Sequence, residues 1–102
     1  MAFHRGEIYS YNPVLSRPGQ STRRFVISVD RLNEVGSSTA VGLLVDDQDP
    51  GGLLTVQLGD QGWVSPVRIE RLLLSRLGEL LYVATSDELD QVAVAMRAAY
   101  DL

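Results

Sequence analysis

The sequence predicts an α+β domain: a small, curled antiparallel β-sheet, barrel-like and SH3-like, with one C-terminal α-helix. Three observations carry that expectation. Short runs of alternating or β-branched residues recur between residues 7 and 84, separated by Gly- and Pro-rich turns. The apolar period changes from two to 3.6 once, after residue 85. The 102 residues, 45% hydrophobic and 22% charged, suffice for a single core but not for two.

Taken in order, EIYSY (7–11) alternates and is rich in aromatic and β-branched residues, so it reads as a strand. NPVLSRPGQST (12–22) is a loop, broken by Pro13, Pro18 and Gly19. RRFVISVD (23–30) is a second strand, with Phe25, Ile27 and Val29 on one face and Val26 and Ser28 on the other. TAVGLLV (39–45) is almost wholly apolar, as expected of a central strand buried on both faces. DDQDPGG (46–52) reads as a loop. LLTVQL (53–58) and WVSPVRI (63–69) flank the turn GDQG and form an expected hairpin, in which Pro66 limits the second strand to an edge or an end. ELLYVA (79–84) is the last expected strand. Leu89, Val92, Ala93, Met96, Ala99 and Tyr100 then fall on one face of a helix, and Thr85 with Glu88 forms a capping box at its start.

Composition narrows the chemistry. With no cysteine there are no disulfides or thiolate metal sites, and a single histidine, His4, excludes the usual zinc and Ser-His-Asp constellations. No apolar run has the roughly 18–20 residues that span a bilayer, and MAFHRGEIY lacks the apolar core of a signal peptide. A cytoplasmic protein is expected. The net charge of −4 disfavours nonspecific nucleic-acid binding. The charges are segregated, however: residues 1–24 hold four arginines and one glutamate, whereas residues 30–60 hold six acidic residues and one arginine. A local basic patch therefore survives the global negative charge.

Several residues and the order of elements resemble the MazF/PemK/CcdB-like toxins of bacterial toxin–antitoxin modules. RGEIY (5–9) is similar to the opening strand of the MazF branch, Pro13 stands at its first loop proline, and RRFVIS resembles its arginine strand. SRLGELLYVATSDELDQV resembles the closing strand and helix, and the likeness spans most of the chain as a single toxin domain, 1–102. In the C-terminal half, VQLGDQGW (56–63) is similar to the Gly-Asp-x-x-Trp hairpin turn of the CcdB branch.

The MazF resemblance implies a homodimer that cleaves single-stranded RNA sequence-specifically, needs no metal or other cofactor, and is held by a cognate antitoxin that is acidic and partly disordered. It implies that a strand arginine stabilises charge on the scissile phosphate while the 2′-hydroxyl attacks. Arg suits that role through its permanent charge and forked donors. Counting without gaps from the apolar strand places Arg23 there; matching the arginine directly before the strand places Arg24 there. Where that family keeps a threonine, the same count gives Asp46, or Val45 one step earlier. An aspartate there can act as general base for the 2′-hydroxyl or close the site with a salt bridge.

Arg17 and Gln20, in the loop beside the arginine strand, and Arg68, at the end of the hairpin strand, are candidate RNA contacts. Arg71 and Arg76 are the expected partners of Glu70 and Glu79. DDQD (46–49) fits no cation-site spacing and reads as a solvated loop. Trp63 is expected in core or interface rather than as a stacking platform. The CcdB alternative implies poisoning of DNA gyrase through a C-terminal Trp-Gly-Ile tail, where this chain has Tyr100 and Asp101. A third alternative is an inactive relative that only binds an antitoxin.

Overall fold

A computed structural model describes residues 3–13, 18–28, 38–52 and 54–100. Among the described residues, seven strands, a 3₁₀ turn and one helix follow in order: β1 (Glu7–Tyr11), β2 (Arg23–Val26), β3 (Thr39–Leu44), β4 (Val56–Leu58), β5 (Gly62–Val64), β6 (Ile69–Leu73), the 3₁₀ turn Leu74–Arg76, β7 (Leu77–Val83) and α1 (Ser86–Tyr100). Five strands form an antiparallel sheet in the order β6-β3-β2-β1-β7, and β4 and β5 pair separately as a hairpin. The expected α+β class with a terminal helix is present.

The sheet is open, with β6 and β7 at its two edges. Its curl follows from connectivity. Those edges are joined through the three-residue turn Leu74–Arg76, so Leu73 and Leu77 can lie at most about 15 Å apart along the chain. A flat five-stranded sheet would separate its edge strands by about 19 Å. The sheet must therefore roll at that end. Tyr11 fastens the roll, because its hydroxyl accepts from the Leu73 N–H at 3.1 Å.

The sheet carries apolar residues on both faces. One face, with Ile8, Phe25, Leu43 and Val45, packs against the hairpin residues Val56, Leu58 and Val64 and against Val92 and Ala95 of α1. The other gathers Phe3, Tyr9, Tyr11, Val26, Leu72 and Leu77. The alternation expected for residues 25–28 is thus realised, with Phe25 under the helix and Val26 opposite.

Five expected details differ. The central strand is β2, in which Arg24, Phe25 and Val26 are fully buried; β3 lies one place outward and leaves Val41 37% exposed. Regular pairing of β2 ends at Val26, because the N–H groups of Ile27 and Ser28 converge on the Val41 carbonyl at 2.9 and 3.2 Å; Val29 and Asp30 lie outside the described residues. The expected strand 63–69 is two strands: Pro66 has no N–H for a ladder, and the Arg68 N–H closes a turn on the Ser65 carbonyl at 3.1 Å. Of the strand expected over 53–58, Leu53 lies outside the described residues and the rest is strand only at Val56–Leu58, while β7 begins two residues before the expected 79.

The helix start is as the sequence predicts. Glu88 N–H donates to Thr85 Oγ1 at 3.2 Å, and Thr85 N–H donates to Glu88 Oε1 at 2.8 Å. Glu88 also receives the Tyr82 hydroxyl and the Gly59 N–H, both at 2.8 Å, and so ties helix, sheet and hairpin tip together. Burial raises the Glu88 pKa, but these donors outweigh it and leave the carboxyl below its usual range. The helix buries Val92 and Ala95, with Leu89 and Met96 alongside, a slight rotation from the expected stripe that leaves Tyr100 42% exposed. Gly6 shows why the RGEIY glycine is needed. Its φ is +93°, and an added Cβ would sit 3.0 Å from a Leu89 methyl.

Candidate functional site

The two arginines that open β2 point to opposite sides, as the strand period requires. Arg24 turns into the sheet's second face. It is fully buried, with its guanidinium carbon 4.8 Å from the centre of the Tyr11 ring. Its Nε donates to Glu70 Oε2 at 3.2 Å, and its Nη1 donates to the Ser21 and Arg23 carbonyls at 2.8 and 2.9 Å, while Nη2 is buried without a partner. Glu70 is thus paired to Arg24 rather than to Arg71, because consecutive β6 side chains face opposite ways. Arg76 donates to the carbonyls of Asn12 and Pro13 rather than to Glu79, since its 3₁₀ position lies beside the loop that leaves β1.

Arg23 turns the other way, into a cleft of about 440 Å³ where the ends of β2 and β3 meet the loop 46–50. Gln20, Ser21, Asp46, Asp47 and Arg68 line the same cleft. The structure therefore brings Arg23, Asp46, Gln20 and Arg68 together and separates Arg24 from them; Arg17 lies outside the described residues.

Local bonds fix these positions. The Ser21 hydroxyl is 2.5 Å from the Val45 carbonyl and accepts the Arg23 N–H at 3.3 Å, while the Val45 N–H reaches the Arg23 carbonyl at 3.3 Å. Strand ends β2 and β3 are thereby held in register beside the cleft. Asp46 forms an isolated antiparallel bridge with Trp63, its N–H and carbonyl meeting the Trp63 carbonyl and N–H at 2.8 and 2.9 Å. The hairpin reaches this close only because residue 62 is glycine: its φ is +137°, and a Cβ there would lie 2.2 Å from the Asp46 carbonyl oxygen.

The charged groups are paired. Both carboxylate oxygens of Asp46 lie 2.7 Å from Arg68 Nη1. Arg23 donates through Nη1 to the Gln61 carbonyl and through Nη2 to Asp47. Asp49, at the cleft rim, accepts from the Gly51 N–H at 2.9 Å and lies 3.4 Å from the Thr55 hydroxyl. Among the described residues, no group of three His, Asp or Glu side chains is gathered for a metal ion. A guanidinium aimed into a cleft can hold an anionic, tetrahedral oxygen cluster, and a carboxylate fixed beside it can accept a proton.

Two contributors were missed by sequence reasoning. Gln61 acts through its backbone carbonyl, which carries no side-chain signature. Asp47 belongs to DDQD, which by composition reads as a solvated loop, and only the fold brings it to Arg23. The second glycine of GDQG is the one sequence signal of the hairpin's close approach. Trp63 is half-buried and contributes its backbone to this junction. At the far end of α1, the Tyr100 hydroxyl donates to the Pro66 carbonyl at 2.7 Å.

No family model and no curated protein sequence matches the chain. Solved structures do. An endoribonuclease from a mycobacterial species superposes with a TM-score of 0.82 at 21% identity, covering 100% of this chain and 94% of that one. MazF from Deinococcus radiodurans superposes with a TM-score of 0.80 at 20% identity, covering 100% and 99%. The chain has the MazF fold. The mycobacterial endoribonuclease bound to its cognate antitoxin is similar as well, with a TM-score of 0.81 at 21% identity over 99% of this chain and 95% of that one. In this MazF fold the cleft lies where two adjacent strand ends, the hairpin and an acidic loop converge, and no helix is long and apolar enough to cross a membrane among the described residues.

Proposed function

We propose that residues 1–102 form the toxin of a type II toxin–antitoxin module, a cytoplasmic, sequence-specific endoribonuclease that inhibits growth by cutting single-stranded RNA without a metal. The observation that carries this reading is the gathering of Arg23, Asp46, Arg68 and Gln20 around one cleft, in a chain whose fold is that of known endoribonucleases. In this scheme a 2′-hydroxyl attacks the adjacent phosphorus, Asp46 accepts its proton, and the bond to the 5′-oxygen breaks as that oxygen takes a proton from solvent water. The products are a 2′,3′-cyclic phosphate and a 5′-hydroxyl end. Arg23 offers charge and donors to the non-bridging oxygens as negative charge builds on them. Arg68 fixes the Asp46 carboxylate and extends the basic side of the cleft toward a flanking phosphate, and Gln20 lines the same cleft.

The working form is a homodimer restrained by a cognate antitoxin, a partnership supported by related folds crystallised with theirs. The test is incubation of purified protein with single-stranded RNA in EDTA, with product ends analysed. Fragments bearing cyclic phosphate are the expected result; intact RNA at high protein concentration overturns it. The pairing of both cleft arginines with carboxylates favours a second reading, an inactive form that only binds an antitoxin. Intact RNA together with tight antitoxin binding would select that one.

A further inference from the structure

We propose that Asp47 is an autoinhibitory gate on Arg23: its carboxylate occupies the place that a substrate phosphate would take, and binding proceeds by exchanging one for the other. The inference rests on reading the cleft as a phosphate site and extends it to how the site is held closed.

Several observations carry it. Arg23 is mostly enclosed, with its side chain 21% exposed, whereas Asp47 is 87% exposed and held there through Arg23. The two ends of the pair are therefore unequal. Arg23 keeps the Gln61 carbonyl when Asp47 leaves, so the guanidinium stays aimed into the cleft. Asp47 has no comparable anchor among the described residues. Its neighbour Asp46 is pinned by the backbone bridge to Trp63 and by Arg68, and Asp49 is bound to Gly51 and Thr55. Of the three carboxylates lining the cleft, Asp47 alone is both paired to Arg23 and exposed enough to swing into solvent.

Charge makes the gate effective. Among the described residues the cleft is lined by two arginines and three aspartates, so an incoming phosphate meets a net negative rim there. A carboxylate and a phosphate present similar oxygen pairs to a guanidinium, and one displaces the other without rearranging the arginine. The partly exposed pair has the strength of a surface salt bridge, up to about 1 kcal/mol, so the gate lowers affinity by up to about fivefold without abolishing it. A partner that draws Asp47 away would raise activity, and one that adds carboxylates would deepen the closure.

The test measures affinity for two probes, inorganic phosphate and a fluorescent single-stranded RNA carrying 2′-O-methyl groups that block cleavage. Asp47→Asn is expected to bind both about fivefold more tightly than wild type. Asp47→Glu, which retains the pair, should match wild type. Asp49→Asn makes the same charge change without an Arg23 partner and should gain less than half as much. The gain should vanish in the double variant Arg23→Ala/Asp47→Asn. Substitutions at the exposed positions 47 and 49 leave folding intact, and a thermal unfolding transition matching wild type shows that the double variant, which alters the enclosed Arg23, is folded. Equal gains from Asp47→Asn and Asp49→Asn, or no gain from Asp47→Asn, would overturn the gate. Because neither probe is cut, the result is independent of catalysis: a phosphate gain in a protein that never cleaves RNA sustains the gate while removing the endoribonuclease reading.

Discussion

Arg23 and Arg24 are adjacent in the chain and share one strand, yet they sit in opposite kinds of surroundings. Arg24 is sealed under Tyr11 with Glu70 and two backbone carbonyls as fixed partners. Arg23 lies at a cleft, where one partner is a rigid carbonyl and the other a carboxylate on an exposed loop. The difference teaches that charge alone does not mark a functional residue. A buried charge with immovable partners specifies structure, while a charge with a replaceable partner remains available to a ligand.

The largest effect on folding is expected at Arg24. Arg24→Met leaves Glu70 without its partner and loosens the turn held by the Ser21 and Arg23 carbonyls. A loss of about 3 kcal/mol in denaturant unfolding is expected, at the low end for a broken buried pair because Glu70 is partly exposed. A loss below 0.5 kcal/mol would break the comparison. Gly62→Ala comes next. Its methyl must displace the Asp46 carbonyl, so about 2 kcal/mol of stability should go, accompanied by a fall in RNA cleavage larger than any fall in RNA affinity.

Glu88 offers a control remote from the cleft. Glu88→Gln should cost about 1 kcal/mol at neutral pH by weakening the capping box, with cleavage per folded molecule unchanged. Because the folded-state pKa of Glu88 is lowered, its contribution is complete above the ordinary glutamate range, near 4.3, and is lost as pH falls through the folded value. Wild type and Glu88→Gln should therefore converge in stability on acidification, as thermal unfolding across pH 3–7 would reveal. Arg68→Ala should have the smallest effect on folding, below about 1 kcal/mol, since its pair with Asp46 is partly exposed. Titrations of RNA against salt should become shallower by about 0.7 in the logarithmic slope if Arg68 meets one phosphate.

Much of the fold could be read from short-range chemistry. The Thr85–Glu88 box and the alternation of residues 25–28 depend on residues close in sequence, and both are present in the structure. Strand period also dictated that Arg23 and Arg24 face apart. It could not say which one meets a cleft, because that depends on where the hairpin packs and on the sheet face that carries Tyr11. The central place of β2 was hidden for a related reason: RRFV begins with two charges, and only the Tyr11–Glu70 setting makes one of them buriable. Arg23–Asp47 spans 24 residues and Arg23–Gln61 spans 38, so neither leaves a local pattern.

The most direct measurement is the cleavage rate of single-stranded RNA in EDTA by wild type, Arg23→Ala and Arg24→Met, each normalised to folded protein. With Arg23 stabilising the scissile phosphate, Arg23→Ala should fall by about 10²–10³-fold with little change in stability, while Arg24→Met stays within a few-fold of wild type. The reverse ranking, or equal loss in both variants, would contradict the assignment of Arg23 to the chemistry and Arg24 to the fold.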